Sequence, residues 1–207
     1  MRINSLGASV TLAALVLSAV CLHAAPGDSR LADAVMRSDR DTVRTLLQQK
    51  ADVNAAQIDG MTALHWAARQ NDLETVQMLL KAGAKATTAT RYGVTPLYLA
   101  AVNGNAAVIG DLLKSGADAN AVLPEGETIL MTAARTGKVE ALKVLLDHGA
   151  DVDARERWFG ETPLIWAAAE NHADAVRLLI ERGAGVNSRS ALQKIEKRRT
   201  GESILAL

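Results

Sequence analysis

Cysteine is almost missing from this chain: Cys21 is the only one in 207 residues. A fold stapled by disulfides is therefore excluded, and stability has to come from packing. Aromatic residues amount to 3%, while 49% of the chain is hydrophobic. With Ala and Leu carrying most of that apolar material, a sheet built from β-branched and aromatic side chains is disfavoured and packed helices are expected. An excess of charge is also lacking, because 23 basic residues balance 23 acidic ones. With zero formal net charge to draw phosphates, nucleic acid is a poor candidate partner. No glycine-rich phosphate loop and no serine elbow appears.

The longest apolar run, Val10 to Leu22, is shorter than the ~20 residues of a membrane-spanning helix. It follows the positive Arg2 and precedes the small residues Ala24 and Ala25, the order of a secretory signal peptide. Residues 1–24 are read as that signal, with a retained anchor as the alternative. Cleavage after Ala24 is favoured, since a cut after Ala25 would leave Pro26 immediately downstream. Ser18-Ala19-Val20 before Cys21 lacks the order expected for lipid attachment. The expected location is the periplasm or outside the cell, with no stable membrane insertion after cleavage.

What the rest of the chain has is a repeat. Gly60, Gly93, Gly126 and Gly160 are each followed two residues later by Thr62, Thr95, Thr128 and Thr162, at spacings of 33, 33 and 34. A second series, Gly83, Gly116, Gly149 and Gly183, keeps the same spacing, each followed by Ala. Between the marks, apolar residues fall at helical intervals. Leu64, Ala67 and Ala68 recur as Leu97, Ala100, Ala101, as Leu130, Ala133, Ala134 and as Leu164, Ala167, Ala168; a second stripe runs from Val76, Leu79, Leu80 to Val176, Leu179, Ile180. Each repeat is thus a pair of helices.

The boundaries have physical causes. Each Thr precedes a first helix, where its hydroxyl can accept from a free backbone N–H, and Pro96 and Pro163 follow where no donor is lost. The second glycine series closes the second helix, since a left-handed backbone is cheapest without a Cβ. The stretch Asp118-Ala119-Asn120 through Gly126 suits a projecting turn.

Thr62-Ala63-Leu64-His65-Trp66-Ala67-Ala68, Thr95-Pro96-Leu97-Tyr98-Leu99-Ala100-Ala101 and Gly149-Ala150-Asp151-Val152-Asp153-Ala154 resemble ankyrin repeats. The resemblance covers residues 27–188, divided at about 27–57, 58–90, 91–123, 124–157 and 158–188. It implies an all-α solenoid of stacked helix pairs with projecting β-turn or hairpin fingers, which binds proteins through the finger tips and the concave helix surface without catalysis. For His65 it implies a structural hydrogen bond.

The ends depart from the pattern. The first repeat carries Arg30, Asp33, Arg37 and Arg40, read as the polar outer dressing of a terminal repeat. Lys50 stands where the closing glycine belongs, at a cost of roughly 1 kcal/mol. Residues 189–207 form a basic connection, Ser190 to Arg199, and then Gly201-Glu202-Ser203-Ile204-Leu205, which echoes Gly126-Glu127-Thr128-Ile129-Leu130 as the opening of an incomplete sixth repeat.

A repeat protein binds with what varies. The finger tips are Gln57-Ile58-Asp59, Thr90-Arg91-Tyr92, Leu123-Pro124-Glu125 and Arg157-Trp158-Phe159. Arg, Tyr and Trp are enriched at interface hot spots. Arg91, Tyr92, Glu125, Arg157, Trp158 and Phe159 are accordingly the expected partner-binding residues. The plainer alternative has Trp158 and Phe159 folding over the extra residue that lengthens their finger. Trp66 and Trp166, one residue before the Ala pair, are expected in the core, and Thr132 at the same place as a polar spot between helices. His65, His148 and His172 belong to different repeats and form neither a triad nor a metal site. Asp151, Asp153 and Glu156 lack calcium-loop spacing and are read as a solvated finger base. No cofactor, metal or catalytic residue is expected. The reading is a monomeric exported scaffold for an unidentified protein partner, or else the recognition part of a larger exported protein or enzyme complex.

Overall fold

Capping decides where the helices of this chain begin. The computed structural model describes residues 28–190, and there ten helices form five hairpin pairs. They are α1 (Arg30–Met36), α2 (Arg40–Gln48), α3 (Ala63–Arg69), α4 (Leu73–Lys81), α5 (Pro96–Asn103), α6 (Ala106–Lys114), α7 (Ile129–Thr136), α8 (Val139–Asp147), α9 (Pro163–Ala169) and α10 (Ala173–Glu181). Thr95, Thr128 and Thr162 stand at the N-caps of α5, α7 and α9. Their hydroxyls accept from Tyr98 N (3.2 Å), Met131 N (3.2 Å) and Ile165 N (3.4 Å), which satisfies a donor the helix itself cannot. Asp39, Asp72 and Asn105 do the same for α2, α4 and α6.

Each second helix ends on a left-handed residue. Four of these are the glycines 83, 116, 149 and 183, and the fifth is Lys50 at φ 57°, where a Cβ is strained. A second left-handed series, Ser38, Asn71, Gly104, Gly137 and Asn171, turns the chain between paired helices. The sequence reading passed over this series because three residue types share it.

The pairs stack in two layers. The odd-numbered helices pack on one another in order, and α4, α6, α8 and α10 line up behind them. Ala67, Ala68, Ala100, Ala101, Ala133 and Ala134 are wholly buried, and their small side chains let neighbouring first helices approach closely. Leu79, Leu112, Leu145 and Leu179 fill the space between the layers with no exposed surface, each contributing about 1.5–3 kcal/mol through burial. Asparagines tie the loops behind: Asn54 donates to Gly83 O (3.2 Å) and accepts from Lys85 N (2.8 Å), and Asn120 repeats this with Gly149 O (2.9 Å) and Asp151 N (2.8 Å). The result is the all-α repeat solenoid.

The two ends of the stack differ. Two of the four polar residues expected on the outer side of the first repeat face inward along the array instead. Arg40 pairs with Asp72 (2.9 Å) and Glu74 (3.0 Å), and Asp33 accepts from Gln57 (2.5 Å). At the other end Ala168 is exposed although Ala68, Ala101 and Ala134 are fully buried, and Ile180 and Val186 are exposed too. No described helix is long and apolar enough to cross a membrane. The signal segment 1–24 and the Gly201 to Leu205 echo lie outside the described residues.

Candidate protein-interaction surface

Four fingers precede α3, α5, α7 and α9, and the first three share one geometry. Gln57, Thr90 and Leu123 each accept a turn-closing bond from a glycine three residues on (Gly60, Gly93, Gly126; 2.8–3.0 Å). Each also donates its own N–H to the carbonyl of Met61, Val94 or Glu127 (2.9 Å). These glycines have positive φ and are squeezed as well. A Cβ on Gly60 would lie 2.9 Å from Thr90 Cα, and one on Gly126 would lie 2.9 Å from Arg157 N. The first and second fingers, and the third and fourth, therefore abut at the backbone, while Gly93 of the second meets the Pro124 ring of the third (3.0 Å), so the tips form one continuous ridge.

The fourth finger is built differently. Glu156 N–H reaches Glu161 O (3.1 Å) across one more residue than in the other fingers. The tight turn is replaced by a side chain: the Glu156 carboxylate accepts from the amides of Trp158 (2.5 Å), Phe159 (2.5 Å) and Glu161 (3.0 Å). Glu156 is buried, which corrects its reading as part of a solvated acidic base. Burial alone would raise its pKa, but the amides of Glu161, Trp158, Phe159 and Gly160 outweigh that and hold the carboxyl below its ordinary range. Asp151 and Asp153 do remain exposed, and Asp153 accepts from Gly185 N (2.8 Å).

Of the six residues expected to bind, Arg91, Tyr92, Glu125, Arg157 and Trp158 are exposed and Phe159 is half-buried. Tyr92 and Trp158 each keep 66% of their surface, so Trp158 does not fold over its own finger. The six stand on three successive fingers, with Glu125 between the two aromatic tips. Arg91 is braced, since its guanidinium donates to Ile58 O of the preceding finger and its N–H to Asp59 O (3.3 Å), while it also lies 6.0 Å from the Tyr92 ring. Ile58, at 95% exposure the barest apolar residue on the ridge, escaped the sequence reading because aliphatic side chains carry no hot-spot preference.

The tryptophans of the first helices are not the core residues expected. Trp66 and Trp166 are half-buried beside the fingers, with Arg69 over the Trp66 ring at 5.3 Å and Arg135 over Trp166 at 5.9 Å. Their rings are too large for the small-residue seam and lie on its open side, where a cation can cover a face. Thr132 is fully buried and is satisfied by donating to Glu127 Oε1 (2.7 Å).

His65 is structural. Its Nε2 lies 3.1 Å from Val94 O, a pure acceptor, so that nitrogen carries the proton and Nδ1 accepts from Thr62 N–H (3.2 Å) and its hydroxyl (2.8 Å). Burial pushes the imidazole pKa below its usual value, against the opposing pull of the Val94 carbonyl. His148 Nδ1 lies 2.8 Å from Val144 O, and His172 Nε2 lies 3.0 Å from Arg135 O. Among the described residues no group of three or more His, Cys, Asp or Glu is placed to hold a metal ion.

Comparison with known proteins agrees with this architecture. A search of curated proteins gave no match. The family model for ankyrin repeats (3 copies) matches residues 31–122 and again 107–190, spanning all five helix pairs. With its capped helix pairs, abutting fingers and protein-binding scaffold architecture, the chain belongs to the ankyrin repeat family.

Proposed function

We propose that this protein is exported to the periplasm or beyond. There it acts as a monomer that holds a protein partner on the finger ridge and the adjoining first-helix face, with no chemistry of its own. The observation that carries this reading is the pairing of fixed backbone with bare aromatic tips: Tyr92 and Trp158 are each 66% exposed, although their fingers abut their neighbours at Gly60, Gly93 and Gly126. A rigid amphipathic side chain loses little entropy when it is buried, which is what a hot spot needs. Export rests on Arg2, the Val10 to Leu22 run and Ala24.

The test is affinity capture from the exporting cell with wild-type protein beside the triple variant Tyr92→Ala, Arg157→Ala, Trp158→Ala. Loss of the captured partner in the triple variant supports the surface, and equal capture moves it elsewhere. Cell fractionation tests export, which fails if the mature protein stays wholly in the cytoplasm. A second reading, the recognition part of a larger exported protein or enzyme complex, is favoured by the exposure of Ala168, Ile180 and Val186 on the last described helix pair and the turn after it. Native mass separates the two: a species much heavier than one 21.9 kDa chain favours the assembly.

A further inference from the structure

One buried polar group in the described structure has no partner: the indole N–H of Trp166. Such groups are rare in native proteins and call for a cause. The repeat supplies an internal control. Trp66 holds the same place in the second repeat, and its indole N–H donates to Gln57 Oε1 at 2.8 Å. Gln57 is the first residue of its finger, with its N–H on Met61 O, and in the fourth finger that position is Glu156, with its N–H on Glu161 O. Glutamate and glutamine have the same length, yet the Trp166 indole N–H has no counterpart of the Gln57 bond. The two oxygens of Glu156 are occupied by Trp158, Phe159 and Glu161 amides, which the extra finger residue has freed from the tight turn. Thr90 gives a weaker version of the same device, its hydroxyl accepting from Tyr92 N (3.3 Å) and Val94 N (3.2 Å). Leu123 has no polar atom to offer.

We propose that Glu156 is the positioning residue of the partner-binding ridge: its carboxylate latches the fourth tip with Trp158 outward, and the indole N–H of Trp166 is the second donor to which it turns when the latch is undone. The proposal rests on the reading of this ridge as a binding surface, but its test needs no partner. The finger therefore has two hydrogen-bonded arrangements, one presenting the tip and one satisfying the tryptophan beneath it.

The test is NMR hydrogen exchange on the full chain, with the indole resonances assigned by single Trp→Phe substitutions. In the wild type the Trp66 indole N–H should be protected and that of Trp166 should exchange faster. Glu156→Ala should speed exchange of the Trp158, Phe159 and Glu161 amides by about tenfold or more, as expected for loss of bonds to a charged acceptor. It should also make Trp158 harder for acrylamide to quench, since the tip is no longer held outward, with Gly93 and Gly126 exchange unchanged. Glu156→Gln should restore part of the protection. Deleting Phe159, which returns the finger to the length of the others, should move the Trp166 indole resonance downfield and protect it to the level of Trp66. Unchanged tip exchange in Glu156→Ala would overturn the latch. A Trp166 indole already protected in the wild type, or left unprotected by the deletion, would overturn the second arrangement. A proven latch on a finger that binds nothing would instead refute the binding reading alone.

Discussion

The helix layers and the finger ridge are two regions made from the same repeat, and they use side chains in opposite ways. In the layers, equivalent positions hold equivalent residues with equivalent burial: Leu79, Leu112, Leu145 and Leu179 are all fully buried. On the ridge, equivalent tip positions hold Ile58, Arg91, Pro124 and, in the lengthened fourth finger, Arg157, all exposed. The layers thus carry stability, and in the proposed function the ridge carries specificity. A substitution in one region should leave the other's property intact.

The largest effects should come from the layers. Leu112→Ala or Leu145→Ala should lower the unfolding free energy by about 2–5 kcal/mol through cavity formation, measured by urea denaturation. Either change would blur the contrast if it cost less than a surface substitution. His65→Ala should cost about 1–3 kcal/mol by leaving the buried Thr62 N–H and hydroxyl without their acceptor. The wild type should also be acid-sensitive through this ring. Its folded pKa is depressed, so its contribution is complete above the free imidazole value of 6.5 and disappears as pH falls through the lower folded value. Melting temperature against pH should show that limb, and His65→Phe should flatten it.

Lys50→Gly should act in the other direction. It relieves a non-glycine residue at φ 57° and should stabilise the protein by about 1 kcal/mol, read from the same denaturation curves. The smallest stability effect belongs to the ridge: the triple variant of Tyr92, Arg157 and Trp158 should stay within about 0.5 kcal/mol of wild type. A larger loss would mean that the tips brace the fingers.

The contrast also explains what was legible beforehand. The layers could be read because a fixed role recurs: in the last four repeats Thr at the first-helix start, Gly after the second helix and the Leu and Ala stripes fall in register in the sequence. Lys50 was placed in its strained conformation by register alone. The ridge was legible only in outline. Five of the six tip residues expected to be offered to a partner are exposed and Phe159 is half-buried, but whether they bind is a matter of chemistry the repeat does not encode.

What went unread involves single, non-periodic arrangements. Glu156 looked like one more surface acid, since only coordinates show three amides converging on it. Trp66 and Trp166 looked like core because they share the place of Leu99, one residue before the Ala pair, yet both rings are only half-buried there. Arg40 looked like outer dressing because its partners, Asp72 and Glu74, lie a full repeat further along the chain.

The central claim, that the partner sits on the finger ridge, is tested most directly by site-specific photocrosslinking in the cell that makes the protein. A photoreactive amino acid would be placed in turn at Tyr92, at Trp158 and, on the opposite layer, at Lys114 and Lys143. The account predicts one shared crosslinked protein from the two ridge positions and none of it from the two lysine positions; crosslinking of that protein from the lysines, with the ridge silent, would contradict it.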